Sequence, residues 1–328
     1  MTNIKIQNIS MQYSQKGGLP LVSICCTAFN HEKFIRNCLD GFLIQKTNFK
    51  VEILINDDCS TDSTASIIKE YELKYPTLFN VFYQKENQYS KGIKPWPNVL
   101  FPASQGKYIA LCEGDDYWTD PLKLQKQVDF LEANLGYIIC GHHRYIYYND
   151  RNILVKNKQK QIKTQCAVFR SDPIKSEVFL KYASQAFNGD TFLFSYLNEI
   201  GKFKILNFYS AVYRVSESGV YSSKSIDFKI NMGLQTLKLK ERMFLELGWD
   251  TNIVDLNLKV FYYYSALNYL QINDLKYKEY FDKFLKLKID NLSLNHEITF
   301  LFKKIKFYIL ILINKSITLI FRNYFLNT

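Results

Sequence analysis

Tyr108, Ile109, Ala110, Leu111 and Cys112 form a charge-free run that gives way at once to Glu113, Gly114, Asp115 and Asp116. No other junction constrains the fold so much. A short, uninterrupted apolar run is the pattern of a strand covered on both faces, which calls for an open α/β sheet with helices packed above and below it. Three carboxylates within four residues repel one another unless a cation or several donors lie among their oxygens, and a divalent ion is the economical partner. The carboxyl ends of such strands are where open α/β sheets bind ligands. A solvated acidic turn is the plainer alternative for these four residues alone. Gly114 permits the bend, and Asp120 with Pro121 reads as the N-cap and first residue of a helix through Lys123, Leu124, Gln127, Val128 and Leu131.

Two earlier stretches repeat the pattern. Leu21 to Cys26 reads as a buried strand ending in Thr27, Ala28, Phe29 and Asn30, with Asn30 capping a helix whose apolar residues Phe34, Ile35, Cys38, Leu39, Phe42 and Leu43 recur at helical spacing. The turn between them lacks GxGxxG, so it is a poor site for a pyrophosphate held by backbone amides alone. Val51 to Asn56 is a second strand, followed by Asp57, Asp58, Cys59, Ser60, Thr61 and Asp62 and a helix through Ile67, Ile68 and Tyr71. Capping accounts for Ser60, Thr61 or Asp62 without a ligand. Asp57 and Asp58 are not at the favoured cap position, and an acid there suits a nucleoside. Val81 to Tyr83 is a short third strand. The polar stretch 84–97 carries Lys85, Lys91 and Lys94, which either reach a diphosphate or are simply solvated.

The 328 residues are 47% hydrophobic, enough for one large α/β domain and an appendage. Forty-two Lys and Arg against 31 Asp and Glu give a formal net charge of +11, which favours anionic partners. No zinc-finger spacing, RNP-like motif or base-reading basic helix is present, so nucleic acid is not the expected partner. The seven cysteines include no CxxC pair and read as small reduced core residues, and the first residues have no apolar signal core, so a cytoplasmic protein is expected.

Three segments taken together, VSICCTAFNHEKFIRNCLDGFLIQ, ILINDDCSTDSTASIIKEY and GKYIALCEGDDYWTDPLKLQKQVDFL, resemble family 2 glycosyltransferases of the GT-A fold in order and spacing. The resemblance spans 20–223. It implies transfer of a sugar from a nucleotide-diphosphate donor, a UDP-sugar first, to an acceptor hydroxyl with inversion, using Mn²⁺ or Mg²⁺. By position, Thr27 and Asp58 are similar to nucleobase contacts, Asp115 to a ribose or metal contact, and Asp116 to the metal ligand. Glu113 stands where an Asp is commoner in the motif. Asn30, Asp57 and Arg214 complete the donor-side candidates.

Tyr137 to Tyr148 reads as a strand rich in β-branched and aromatic residues. Its His142 and His143 point to opposite faces and are not expected to chelate one ion. Lys156 to Lys163 reads as a basic loop, Cys166 to Ser171 leads to a helix near Asp172 and Pro173, and Phe187 to Thr191 precede a helix over Phe192 to Ile200. Asp190 there resembles the family's general base, which an acceptor hydroxyl needs in order to attack; the alternative is a simple N-cap. Phe203 to Tyr213 is a further strand, and where many relatives carry a His two residues after the Tyr-Arg pair this chain has Ser216, leaving Arg214 and water as diphosphate partners.

The expected organisation is a polar leader over 1–19, the GT-A domain over 20–223, a helical region over 224–297 and a basic amphipathic tail over 298–328. Asp227 to Leu247 and Leu256 to Leu287 have helical apolar spacing, with Tyr262, Tyr263, Tyr264 and Tyr269 read as core. In the tail, Phe307 to Asn314 is too short to cross a bilayer, which takes about 20 apolar residues. Ile305, Ile309, Leu312, Leu319 and Ile320 share one side of a helix, with Lys303, Lys304, Lys315 and Arg322 opposite. That suits peripheral contact with the inner face of an anionic membrane, with packing on protein as the rival. The family and the tail together suggest a glycan or lipid-linked acceptor in cell-surface polysaccharide or lipopolysaccharide assembly. A noncatalytic nucleotide-sugar or scaffold module, and a sugar nucleotidyltransferase, are the other readings; the second lacks its Gly-rich basic segment between Thr27 and Lys33.

Overall fold

A computed structural model describes residues 7–9, 18–215, 224–289 and 293–326, with side chains as far as 311. The chain divides into two compact units, 1–223 and 224–328. In the first, strands β1 (Gln7–Asn8), β2 (Val22–Ala28), β3 (Lys46–Thr47), β4 (Val51–Asp57), β5 (Phe79–Tyr83), β6 (Tyr108–Glu113), β7 (Tyr117–Trp118), β8 (Tyr137–Tyr148), β9 (Ile153–Asn157), β10 (Val168–Arg170) and β11 (Lys202–Val215) alternate with helices α1 (Ile35–Leu43), α2 (Thr64–Lys74), α3 (Lys123–Ala133), α4 (Glu177–Ala183) and α5 (Gly189–Ile200). Nine strands form one sheet in the order β5-β4-β2-β6-β10-β8-β11-β7, with β9 pairing β8.

The first four of these strands are parallel. Beyond β6 the sheet is mixed: β10 runs antiparallel to both neighbours, and β8 and β11 pair parallel. The α/β expectation holds. The acidic stretch therefore leaves the sheet where its parallel half meets its mixed half. Tyr108 to Cys112 are all fully buried, which explains the lack of any charge in that run: a strand covered on both faces admits no solvated side chain. Val22, Ile24, Cys26, Ile53 and Ile55 join one face of the same core with Cys38, Leu39 and Phe42 of α1. None of the seven cysteines is in a disulfide.

Several local expectations are corrected. Asn30 does not cap α1, whose N-cap is Phe34 without a side-chain bond; it takes a left-handed backbone (φ 55°), and its Oδ1 accepts the Thr61 N–H at 2.8 Å instead. Asp120 is not the N-cap of α3, which begins at Lys123. Its carboxylate accepts the Leu122 N–H at 2.9 Å and pairs with Lys126 at 2.6 Å, bracing the turn that enters the helix. Lys156 belongs to strand β9 rather than to a loop. Asp190 lies inside the first turn of α5, one residue past Gly189, and Asn188 is the N-cap.

The second unit contains α6 (Ile226–Glu246), α7 (Asn252–Gln271), α8 (Lys276–Lys286) and α9 (Leu294–Leu326). The continuous spacing from Leu256 to Leu287 is broken into α7 and α8 near Asn273, which has φ 56°. Tyr263, Ala266, Leu270, Phe281, Phe284, Phe300 and Phe307 form its core, so Tyr263 is indeed a packing residue, while Tyr264 is 54% exposed. On α9 the residues Ile298, Leu301, Phe302, Ile305, Tyr308 and Ile309 are all exposed, at the 3–4 residue spacing of a single face. The expected partners of that face at Leu312, Leu319 and Ile320 and the basic Lys315 and Arg322 lie on α9 beyond the described side chains, and Ser216, in the segment after β11, lies outside the described residues. No described helix is long and apolar enough to cross a membrane.

Candidate active site

The parallel strands β4, β2 and β6 end side by side. Thr27 is opposite Glu113 in the β2–β6 register, and Ala28 is opposite Asp57 in β2–β4. The loops that follow are tied to one another through the backbone: Gly114 N–H donates to Thr27 O at 2.9 Å, and Asp58 N–H to Ala28 O at 2.9 Å. A side chain at Gly114 would push on its neighbours. A Cβ there would stand 2.8 Å from His31 Nδ1 and 2.9 Å from Ile35 Cδ1.

The acidic turn closes with the Asp116 N–H on Glu113 O at 3.0 Å and continues into β7, which pairs antiparallel with β11. That pairing delivers Arg214. Its backbone N–H donates to Asp116 Oδ1 at 3.0 Å, and its guanidinium donates to Asp115 O at 2.5 Å and to Asn37 Oδ1 at 3.0 Å. The guanidinium also lies over Tyr117, 4.4 Å from the ring centre. Arg214, expected among the diphosphate partners, is here a clamp on the acidic turn.

Asp116 is 1% exposed, and its Oδ2 is buried without a partner. Burial raises its pKa well above the carboxylate range, the charges of Asp115 and Glu113 add to the rise, and the Arg214 N–H and Arg144 oppose it. Arg144 reaches this region from β8, stacked 4.3 Å over Tyr213. The Glu113 carboxyl is pushed up to about 8 by burial and then by Asp115 and Asp190. Four carboxylates from two separate parts of the chain thus share one electrostatic environment. Among the described residues no three His, Cys, Asp or Glu side chains form a metal cage by themselves, so the expected trio Glu113, Asp115 and Asp116 does not converge as a complete ligand set: Asp116 turns inward to the Arg214 N–H. The orphaned Asp116 oxygen and the crowded negative charge do fit a hard cation held by one or two carboxylates, with its remaining positions filled by substrate oxygens and water.

On the nucleoside side, Asp57 and Asp58 are both buried. Asp57 accepts the Ser60 hydroxyl at 2.6 Å and its N–H at 3.2 Å; burial raises its pKa and those bonds oppose the rise. Asp58 accepts the N–H groups of Gln88 at 2.8 Å and Tyr89 at 3.0 Å, one on each oxygen. Each oxygen retains a lone pair for a ligand. Asp190 Oδ1 accepts the Thr191 N–H at 2.6 Å, and its charge raises the pKa of both Glu113 and Tyr89. On β8, His142 Nδ1 meets His143 O at 2.7 Å, and His143 Nδ1 accepts the Gln159 N–H at 3.0 Å.

His31, Asn37, Tyr89 and Arg144 belong to this neighbourhood and were not among the residues singled out from the sequence. His31 Nδ1 is buried without a partner, packed under Gly114. Its only sequence signal is position, four residues after Thr27 in the loop leaving β2.

A family model described as glycosyl transferase family 2 matches residues 23–204. Among curated relatives, an uncharacterized Mycobacterium bovis protein is 45% identical over 129 residues, 39% of this chain and 36% of the relative. The putative teichuronic acid biosynthesis glycosyltransferase TuaG of Bacillus subtilis is 35% identical over 124 residues, 38% of this chain and 47% of the relative. The UDP-Glc:alpha-D-GlcNAc-diphosphoundecaprenol beta-1,3-glucosyltransferase WfaP of Escherichia coli is 30% identical over 169 residues, 51% and 59% respectively. The matches thus span less than two thirds of these relatives. Of solved structures, S. aureus TarS 1–349 with UDP aligns with TM-score 0.54 at 18% identity, over 73% of this chain and 70% of that one. Mannosyltransferase PcManGT from Pyrobaculum calidifontis, with GDP-Man and Mn²⁺, aligns with TM-score 0.51 at 12% identity over 90% and 89%. At these identities the two structures speak to the fold.

Proposed function

Because the chain belongs to glycosyl transferase family 2, we propose that it moves one sugar from a nucleoside-diphosphate donor, a UDP-sugar first, to an acceptor hydroxyl, with inversion at the anomeric carbon. The observation that carries this reading is geometric: β2, β4 and β6 end side by side with Thr27 opposite Glu113 and Ala28 opposite Asp57, and the buried Asp116 just beyond them keeps one oxygen without a partner. Thr27, Asn30, Asp57 and Asp58 would hold the nucleoside, with Asp115 at the ribose. Asp116, supported by Asp115 or Glu113, would hold Mn²⁺ or Mg²⁺, and that ion supplies positive charge to the departing diphosphate. Asp190 would accept the acceptor's proton as the new C–O bond forms, while the bond to the diphosphate breaks and its electron pair leaves with the nucleoside diphosphate. The Arg214 N–H holds Asp116 in place for this work, and the charge of Arg144 favours its ionised form.

TuaG and WfaP, by their names, act in teichuronic acid synthesis and on a diphosphoundecaprenol acceptor, which supports a glycan or lipid-linked acceptor in cell-surface polysaccharide assembly. The exposed apolar face of α9, with Lys304 and Lys306 exposed beside it, supports peripheral contact with the inner face of the membrane. The decisive experiment incubates the protein with Mn²⁺ or Mg²⁺ and a panel of UDP-, GDP- and dTDP-sugars and measures nucleoside diphosphate release with and without lipid-linked acceptor. Release from none of them, with nucleotide-sugar binding intact, would favour the noncatalytic reading.

A further inference from the structure

We propose that Tyr89, Lys94 and Phe187 form a subsite for a pyranose ring at the edge of the acidic cleft. The inference deepens the transferase reading of the same site. Tyr89 and Phe187 are 47% and 48% exposed. Singly, exposed aromatics carry no message. Here two rings from separate segments meet around one ammonium: Lys94 Nζ is 4.1 Å from the Tyr89 ring centre and 5.5 Å from that of Phe187. Lys94 makes no ion pair with any carboxylate among the described residues, and burial alone pulls its pKa down.

The cluster is anchored on both sides to the site already described. Asp58 holds the Tyr89 N–H, and Tyr89 is close enough to Glu113 and Asp190 for both charges to raise its pKa. Phe187 is three residues before Asp190. The segment between them lies against Trp96, whose ring would stand 3.8 Å from a Cβ on Gly189, so the two loops are seated on each other. A pyranose presents an apolar, weakly positive C–H face, which suits the negative face of an aromatic ring. Its hydroxyls, or an acidic substituent, need a donor of Lys94's kind at the ring edge. Two partly exposed rings and an ammonium without a carboxylate partner supply both requirements. The ring is carried either by the donor or by the acceptor, and the chemistry of recognition is the same.

Isothermal titration with UDP, UDP-glucose and UDP-N-acetylglucosamine in Mg²⁺, and with the methyl glycosides of glucose and N-acetylglucosamine, tests this on the wild-type chain and on Tyr89→Ala, Tyr89→Phe, Phe187→Ala and Lys94→Met. The alanine variants should weaken the sugar-bearing probes about five- to tenfold, Tyr89→Phe much less, and affinity for UDP alone should stay within about twofold of wild type. A loss confined to UDP-sugars assigns the ring to the donor, and a loss on methyl glycosides assigns it to the acceptor. Unchanged affinity for every sugar probe, or no sugar probe binding to the wild-type chain, overturns the subsite. Failure of the transferase reading shows separately, as no nucleoside diphosphate release from any UDP-, GDP- or dTDP-sugar of the wider panel.

Discussion

Replacing Asp116 with Asn should make the metal-free protein more stable while removing its response to metal. Asp116 is 1% exposed, with its Oδ2 unpartnered and its pKa well above the ordinary 3.8. Burial with no partner for Oδ2 makes the folded carboxyl take up a proton that the unfolded one has released at neutral pH, so the group penalises folding there. The amide keeps the oxygen that accepts the Arg214 N–H but places an unpaired NH₂ where Oδ2 stood, which costs about 1–3 kcal/mol. Relief of the carboxyl's penalty is expected to exceed that cost at pH 7 and above, so the Tm of the variant should lie above that of wild type. The sign with pH follows from linkage. The folded carboxyl binds a proton that the unfolded one releases above 3.8, so wild-type stability falls as pH rises above that value, and the variant's falls less. Differential scanning calorimetry at pH 5, 7 and 8, with and without Mn²⁺ plus UDP, measures all of this. Saturating ligand should stabilise wild type by about 3 kcal/mol at a hundredfold excess over Kd and leave the variant unmoved. An Asn variant that is less stable than wild type at pH 8, or that keeps the Mn²⁺ response, refutes the reasoning.

Asp190→Asn should reduce sugar transfer at least about a hundredfold while UDP affinity by titration stays near wild type; retained transfer removes Asp190 from the mechanism. Gly41→Ala gains about 1 kcal/mol of helix propensity, yet its Cβ would stand 2.8 and 2.9 Å from the backbone N and O of Trp118. Backbone cannot rotate aside, so overpacking of about 1–3 kcal/mol wins, and thermal denaturation should show a lower Tm. Phe302→Glu and Ile305→Glu on α9 should lower co-sedimentation with vesicles containing anionic lipid severalfold without changing UDP binding; equal sedimentation argues that the face meets protein instead.

Strand β6 was legible because burial on both faces leaves a run with no charge, and β8 was legible because most of its twelve residues are β-branched, aromatic or small, as suits a strand. Strand β9 was not: Ile153 to Lys156 are exposed, so no burial pattern marks it and its lysine reads as loop. The acids announced themselves by crowding three carboxylates into four residues. The residues that hold them did not. Arg214 reaches Asp116 across 98 positions through the β7–β11 pairing, and no local pattern encodes that meeting. Asn30 misled because a residue that caps well also tolerates a left-handed backbone, and the structure uses the second property.

Asp58 answers to two parts of the molecule at once. It is read from the sequence as a base-recognising acid, and it also fastens the strip of chain on which Tyr89 and Lys94 sit. A change at Asp58 is therefore expected to reach the proposed sugar subsite as well as the proposed nucleotide contact. Changes confined to the side chains of Tyr89 or Lys94 leave that anchor in place, so the coupling runs one way, from the acid to the strip.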